Sequence, residues 1–531
     1  MILPNFFFSL FFNLKIKNNF QKLFKNIFLT TKASKKHILL EINNMPSSII
    51  AYAYFCNFLS KKFNAKIHAY RISSNFSFFF QLIFKLRKIF DIIGCLSIYK
   101  SFGVSNFFFL NLNFSQKKES FHLLSKIKKK INSKKDFENI IIDNVLIGDL
   151  IYDSFLKDYS SPTIEIGSKE LENYLKRSIE IYIFWRDYFK SGNVIAIIVS
   201  HSVYLNAIPL RIAIKNKIKV FHVTAHSVYS LSKDKLFAYK DFEKYPKIFK
   251  KFSILKKNKS LNRAKKRLNS RFKGDVAIDM PYSTKSAYKK KYPFRLINKS
   301  NRIKVLVASH CFFDSPHSYG NNLFPDFNEW LNFLGIISLK TNYDWYIKTH
   351  PDYNTLTLEV IKKFIKKFNN FTLLPSDTSH NQIIKEGIDY ALTIYGTIAV
   401  EYAALGICVI NGSNNNPHIN YKFNINPRSF KEYKKIILSL GNIRFRINKN
   451  KVYEYYYMNH LHFKKSWFFE DYNKFEKALG NYNNQFTYKT YKYYLEKHKF
   501  NNCKKIFKKI EEFVDSKEYS SIIYYNKYNL T

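Results

Sequence analysis

A lysine, a threonine and a histidine stand in a row at Lys348-Thr349-His350, and Pro351 pins the chain behind them. They end "YDWYIKTH", an aromatic and aliphatic run of the kind that forms a strand. A plain turn needs only Pro and Asp. An ammonium, a hydroxyl and an imidazole at a strand exit are groups that would hold an anion and neutralise charge on a departing phosphate. A second such place is Tyr395-Gly396-Thr397, where "YALTI" passes into "AVEYAALG". Gly396 permits a tight turn, and Thr397 is expected to cap the helix that follows. The amides and dipole of a helix start favour a phosphate. Glu401 falls one turn further on, on the face of Thr397. A carboxylate repels phosphate but accepts hydrogen bonds from ribose hydroxyls, so the two positions together describe a nucleotide. His310 closes a third strand, "RIKVLVASH", and His317 follows it. The plain alternatives are an N-cap, a surface glutamate and loop histidines with structural hydrogen bonds.

These groups need a sheet to bring them to one edge. Short apolar runs alternate with helical patterns along the chain, which is the signature of parallel α/β architecture. In the first half, strands are expected at 37–42, 65–70, 193–201 and 218–224, with helices over 47–61, near 79–90 and near 205–215. A strongly basic stretch over 233–273 reads as helical and solvated, on the edge of the first unit or between units. Its sharper reading is a surface for an acidic acceptor or lipid head groups. The alternation restarts at 302–310 and continues through 343–350, 371–375, 390–394 and 407–411. The organisation is therefore an extension over 1–34, a first α/β domain over 35–290, a second over 300–480 and a helical tail over 481–531. In open α/β sheets ligands bind outside the carboxyl ends of the strands, where the polar groups above lie.

At 531 residues the chain is too long for one core. Lys and Arg number 87 against 39 Asp and Glu, a formal charge of +48. Such a charge permits a nucleic-acid partner or an anionic membrane. However, the basic residues are spread along the chain, and Lys, Asn, Ile, Phe and Tyr are residues an AT-rich genome over-supplies. No nucleic-acid module is recognisable, so no nucleic-acid partner is expected. The five cysteines form no CxxC pattern, which fits a reducing compartment and offers no zinc site. The N-terminal "MILPNFFFSLFF" is broken by Pro4 and Asn5, too short to span a bilayer, and lacks a signal peptide's basic start. It suits a helix packed on the body or a segment resting on an anionic membrane surface.

"IKTHPD", "TIYGTIAVEYAALGICVINGS" and "NPH" at Asn416 to His418 resemble the C-terminal halves of bacterial capsule and surface-polysaccharide glycosyltransferases. That group includes Kdo-transferase-like proteins and, more distantly, sialyltransferases with a His-Pro motif. "VLIGDLIYDSFL" (Val145 to Leu156) is a weaker echo. The resemblance covers mainly residues 300–425. It implies the GT-B architecture, two Rossmann-like domains facing each other across a cleft. It also implies a nucleotide-sugar donor, often CMP-linked, whose phosphate would meet His350 and Thr397 and whose ribose would meet Glu401. The expected donor-binding set is His310, Lys348, Thr349, His350, Gly396, Thr397 and Glu401. An inverting transferase needs a group to take the acceptor's hydroxyl proton. The acidic first-domain motif of sialyltransferases has no clear counterpart, so the candidates are Asp149, Glu41 and His201. With no DxD motif, no metal or other cofactor is expected. The implied activity is sugar transfer to a growing surface glycan in the cytoplasm, with peripheral membrane contact. Rivals are transfer of a polyol phosphate from a CDP-linked donor, 2-epimerisation of a sugar nucleotide, and a non-catalytic scaffold for polysaccharide assembly.

Overall fold

The computed structural model describes residues 18–19, 22–23, 34–71, 96–276, 278–280, 283–352, 355–465, 472–480, 482–487, 489–497 and 500–526. Nearly all of the N-terminal extension, and the helix expected near 79–90, fall outside them. The chain is α/β, with two Rossmann-like units facing each other across a cleft.

The first sheet contains β1 (His37–Glu41), β2 (Lys66–Arg71), β3 (Val104–Phe109), β6 (Val194–Val199), β7 (Lys219–Val223) and β8 (Val228–Leu231). Their order is β3-β2-β1-β6-β7-β8, parallel except that β8 turns back against β7. β4 (Ile141–Ile142) and β5 (Val145–Leu146) form a separate two-stranded ribbon. The second sheet contains β9 (Ile303–Ala308), β10 (Tyr343–Lys348), β11 (Phe371–Leu373), β12 (Tyr390–Thr393) and β13 (Cys408–Asn411). Its order is β11-β10-β9-β12-β13, all parallel. Strands covered on both faces are largely apolar, and β1, most of β6 and the middle of β9 (Val305–Val307) are buried accordingly.

The topology fixes where a ligand can bind. From β1 the first sheet grows outward through β2 and β3, then restarts at β6 on the other side of β1. From β9 the second grows through β10 and β11, then restarts at β12 on the other side of β9. Each sheet therefore has a switch point, where connections leave in opposite directions and open a crevice. One lies beyond β1 and β6, the other beyond β9 and β12.

The two halves exchange helices, which corrects the expected division. The basic helix Ile254–Phe272, placed by sequence with the first domain, packs on the second. Its Ala264 and Leu268 join Val400, Ala403, Val452 and Tyr455 in one apolar cluster. The C-terminal tail is not separate either. Tyr494, Ile510 and Phe513 share the first domain's core with Ile50 and Tyr54, and Lys62 pairs with Asp515 at 2.6 Å. The helix Pro46–Phe63 is consequently buried along most of its length, between the sheet and the tail. Among the described residues, no helix is long and apolar enough to cross a membrane.

Candidate functional site

Both switch points open onto one cleft of about 670 Å3. The first half contributes Asn43, which follows β1, and Ser200-His201, which follow β6. The second contributes Tyr395-Gly396-Thr397, which follow β12, together with Val400, Glu401 and His418. Tyr472, Glu476 and Ile522 from the C-terminal region complete the wall.

On the first side, the three candidate bases have separate fates. Glu41 is 3% exposed. Its carboxylate accepts from the Ser200 amide at 2.7 Å and from the Asn206 side chain. It ties the end of β1 to the loop after β6 and does not line the cleft. Asp149 is further removed. Both of its oxygens are held by the Arg211 guanidinium, at 2.6 and 2.7 Å, and both side chains are buried. The pair clamps the helix Gly148–Asp158 to the helix Ile208–Lys215. Asp149 is buried with both oxygens engaged and does not line the cleft, so the expectation of a base there gives way to a packing role. His201 alone is exposed in the cleft, with Nδ1 2.7 Å from Ser200 Oγ.

On the second side, Gly396 and Thr397 lead into the helix Ile398–Leu405. A β-carbon on Gly396 would lie 2.9 Å from Thr393 Oγ1, so close approach, not a left-handed backbone, demands glycine here. Thr397 corrects its expectation. It already has helical angles (φ −59°, ψ −24°), and its side chain makes no capping bond. Thr397 is exposed and lines the cleft instead. His310 stands behind this turn. Its Nε2 accepts from the Ile394 amide at 3.1 Å and lies 2.9 Å from Thr393 Oγ1, which accepts from the Gly396 amide at 3.3 Å. The ring stacks on Phe327 at 4.7 Å. Burial pushes the imidazole down to about 4, which keeps Nε2 free to accept. His310 thus props the turn and does not line the cleft.

Lys348, Thr349 and His350 are not gathered at the cleft. Lys348 is 2% exposed and donates to the carbonyls of Ser376 at 2.8 Å and Thr349 at 3.3 Å. Burial pushes its ammonium down to about 8. It braces the loop after β11 from within. Thr349 and His350 line a separate groove of about 410 Å3 with Lys362 and Ser376. His350 Nδ1 accepts from the Asp352 amide at 3.1 Å, and burial lowers its pKa. His350 still feels the charges of Lys348, Glu401 and Arg271, so the groove and the cleft are electrostatic neighbours.

Glu401 lines the cleft but is not an open carboxylate. Oε1 accepts from Arg271 Nε at 2.7 Å and Oε2 from the Tyr288 hydroxyl at 2.5 Å. Each oxygen keeps a lone pair for another donor. Arg271 comes from the basic helix, where Ser260, Ala264, Leu268 and Arg271 are its buried residues. Small and apolar residues four apart in a lysine-rich helix were the signal that one face packs and carries an arginine inward. Replacing Glu401 with Gln removes the charge opposite Arg271 but keeps acceptor and volume. The expected loss is about 1–3 kcal/mol of stability, measured by denaturant unfolding.

No family model and no curated protein matches the chain. Among solved structures, UDP-GlcNAc 2-epimerase from Neisseria meningitidis is similar at 10% identity, over 79% of this chain and 97% of that one, with a TM-score of 0.21. The Methanocaldococcus jannaschii UDP-GlcNAc 2-epimerase is similar at 11% identity, over 79% and 97%, with a TM-score of 0.23. Anabaena HepE in complex with UDP is similar at 10% identity, over 84% and 98%, with a TM-score of 0.24.

Proposed function

We propose that the chain is a glycosyltransferase of the GT-B type that moves a sugar from a nucleotide donor to a surface-glycan acceptor in the cytoplasm. One observation carries this reading: the switch points of two parallel sheets face each other across a single cleft, with a glycine-led helix start on one side and an exposed imidazole on the other. The donor's phosphate sits at Gly396-Thr397, where the helix dipole and the Thr397 hydroxyl favour charge. Its ribose hydroxyls donate to the lone pairs left on Glu401. The acceptor lies against the first half. His201 takes the acceptor's hydroxyl proton as that oxygen bonds to the sugar's anomeric carbon. The bond from that carbon to the phosphate oxygen breaks, and the nucleotide leaves with the electron pair. The charge it gains is stabilised at the helix start. The cleft walls displace water that would otherwise hydrolyse the donor.

The test is a panel of CMP-, CDP-, UDP- and GDP-linked donors incubated with and without glycan acceptors. Sugar transfer that requires the acceptor is expected. Isomerisation of the sugar nucleotide without an acceptor, or transfer of a polyol phosphate, would replace this reading with one of its rivals.

A further inference from the structure

His418 differs from the other polar residues of the cleft wall. It is 3% exposed, and neither ring nitrogen has a hydrogen-bond partner among the described residues. Its backbone is fixed, because its amide donates to Asn416 Oδ1 at 3.2 Å. Its ring is fixed too. Phe423 stacks on it at 5.4 Å and Tyr455 meets it edge-on at 5.7 Å. Burial pushes the imidazole down to about 3, so at neutral pH it offers one N–H and one bare nitrogen. Leaving a buried polar group unmet destabilises the fold. Here a rigid donor–acceptor pair is held at the cleft wall with nothing among the described residues to satisfy it.

The surroundings narrow what could satisfy it. His418 shares an apolar and aromatic neighbourhood with Val400, Phe423 and Tyr455. A sugar, with hydroxyls on every side, would meet few polar partners there. A flat heteroaromatic ring would meet apolar walls and one hydrogen-bonding nitrogen. Val400 is three residues past Thr397, about 4.5 Å along the helix axis. Glu401, the proposed ribose partner, is next to it. Thr397, Val400, Glu401 and His418 line the same cleft, so the His418 pocket lies beside the proposed phosphate and ribose positions.

We propose that His418 reads the donor's nucleobase through one ring nitrogen, and so selects which nucleotide the cleft takes. This rests on the nucleotide reading of the cleft. The test is calorimetric titration of the full chain with CDP, UDP, GDP, ADP and pyrophosphate, comparing wild type with His418→Phe. Phenylalanine keeps the flat ring and removes both polar atoms. Wild type is expected to prefer one base at least tenfold. In His418→Phe that preference should collapse, while pyrophosphate binds as before. A second measurement needs no variant. In wild-type protein carrying 15N-histidine, the His418 ring nitrogens should shift when the preferred nucleotide binds and stay in place with pyrophosphate. If wild type prefers one nucleotide but His418→Phe keeps that preference, or the ring nitrogens do not move, water fills the pair and the inference is overturned alone. If wild type binds none of the nucleotides, the cleft reading falls and takes the inference with it.

Discussion

Replacing His317 with phenylalanine should lower stability by about 3–5 kcal/mol, the usual cost of removing one partner from a buried ion pair. Nδ1 of His317 lies 2.5 Å from Asp153 Oδ1 and Nε2 lies 2.9 Å from Glu138 Oε2. All three side chains are at most 2% exposed. Asp153 and Glu138 belong to the first half and His317 to the second, so the imidazolium fastens the two halves together. Around it, Tyr152 and Thr163 donate to Asp326 at 2.5 and 2.6 Å, and Lys134 pairs with Glu329 at 2.6 Å. Burial alone would lower the His317 pKa. Asp153 and then Glu138 outweigh it and push the group up to about 10. The folded value therefore lies above the unfolded one of about 6.5. This contribution is full below about pH 6.5 and is lost as pH rises towards 10. Urea unfolding of wild type and variant across pH 6 to 10 should show a stability gap that is widest at the acid end and narrows with rising pH. A gap that stays constant across the range would mean that His317 is not charged at this joint.

His201→Ala should lower kcat by about a hundred- to ten-thousandfold, the usual contribution of a positioned base. His201 is the one candidate base that faces the cleft, since Glu41 is engaged with Ser200 and Asn206, and Asp149 with Arg211. It stands on the wall opposite Gly396-Thr397, so the variant should bind the donor nucleotide with unchanged Kd. Initial rates with donor and acceptor, beside a nucleotide titration, separate the two effects. A variant retaining kcat within tenfold would move the proton transfer to another group. The next in line is Asp241, which lines the cleft, accepts from the Tyr229 hydroxyl at 2.8 Å and is pushed above the usual carboxylate range by burial.

The fold was legible because buried parallel strands are written as continuous apolar runs, and β6 follows that rule. The edge where ligands could bind followed from the same runs. The direction of individual side chains did not. Successive residues of a strand point to opposite faces, so Lys348, sharing a face with Tyr346, turns inward to the Ser376 carbonyl although it sits at a strand exit. Partners distant in the chain were equally hidden. Nothing near Asp149 announces Arg211, 62 residues on, and Arg271 reaches Glu401 across 130 residues. β3 escaped notice because "VSNFFF" interrupts its apolar character with Ser105 and Asn106. His418 was visible only as part of a short motif, since its unmet nitrogens depend on how Phe423 and Tyr455 close around it.

In the proposed function, Gly396-Thr397 at the cleft holds a nucleotide phosphate. The most direct measurement is thermal stabilisation of the full chain by CMP, CDP, UDP and GDP, beside Thr397→Val. Thr397 makes no capping bond, so valine should leave the unliganded melting temperature nearly unchanged. A ligand that binds only the native state raises the melting point with its affinity and concentration. The account predicts that one nucleotide raises the melting temperature of wild type and does so clearly less for Thr397→Val. Absence of stabilisation by every nucleotide, or equal stabilisation of the two proteins, would contradict it.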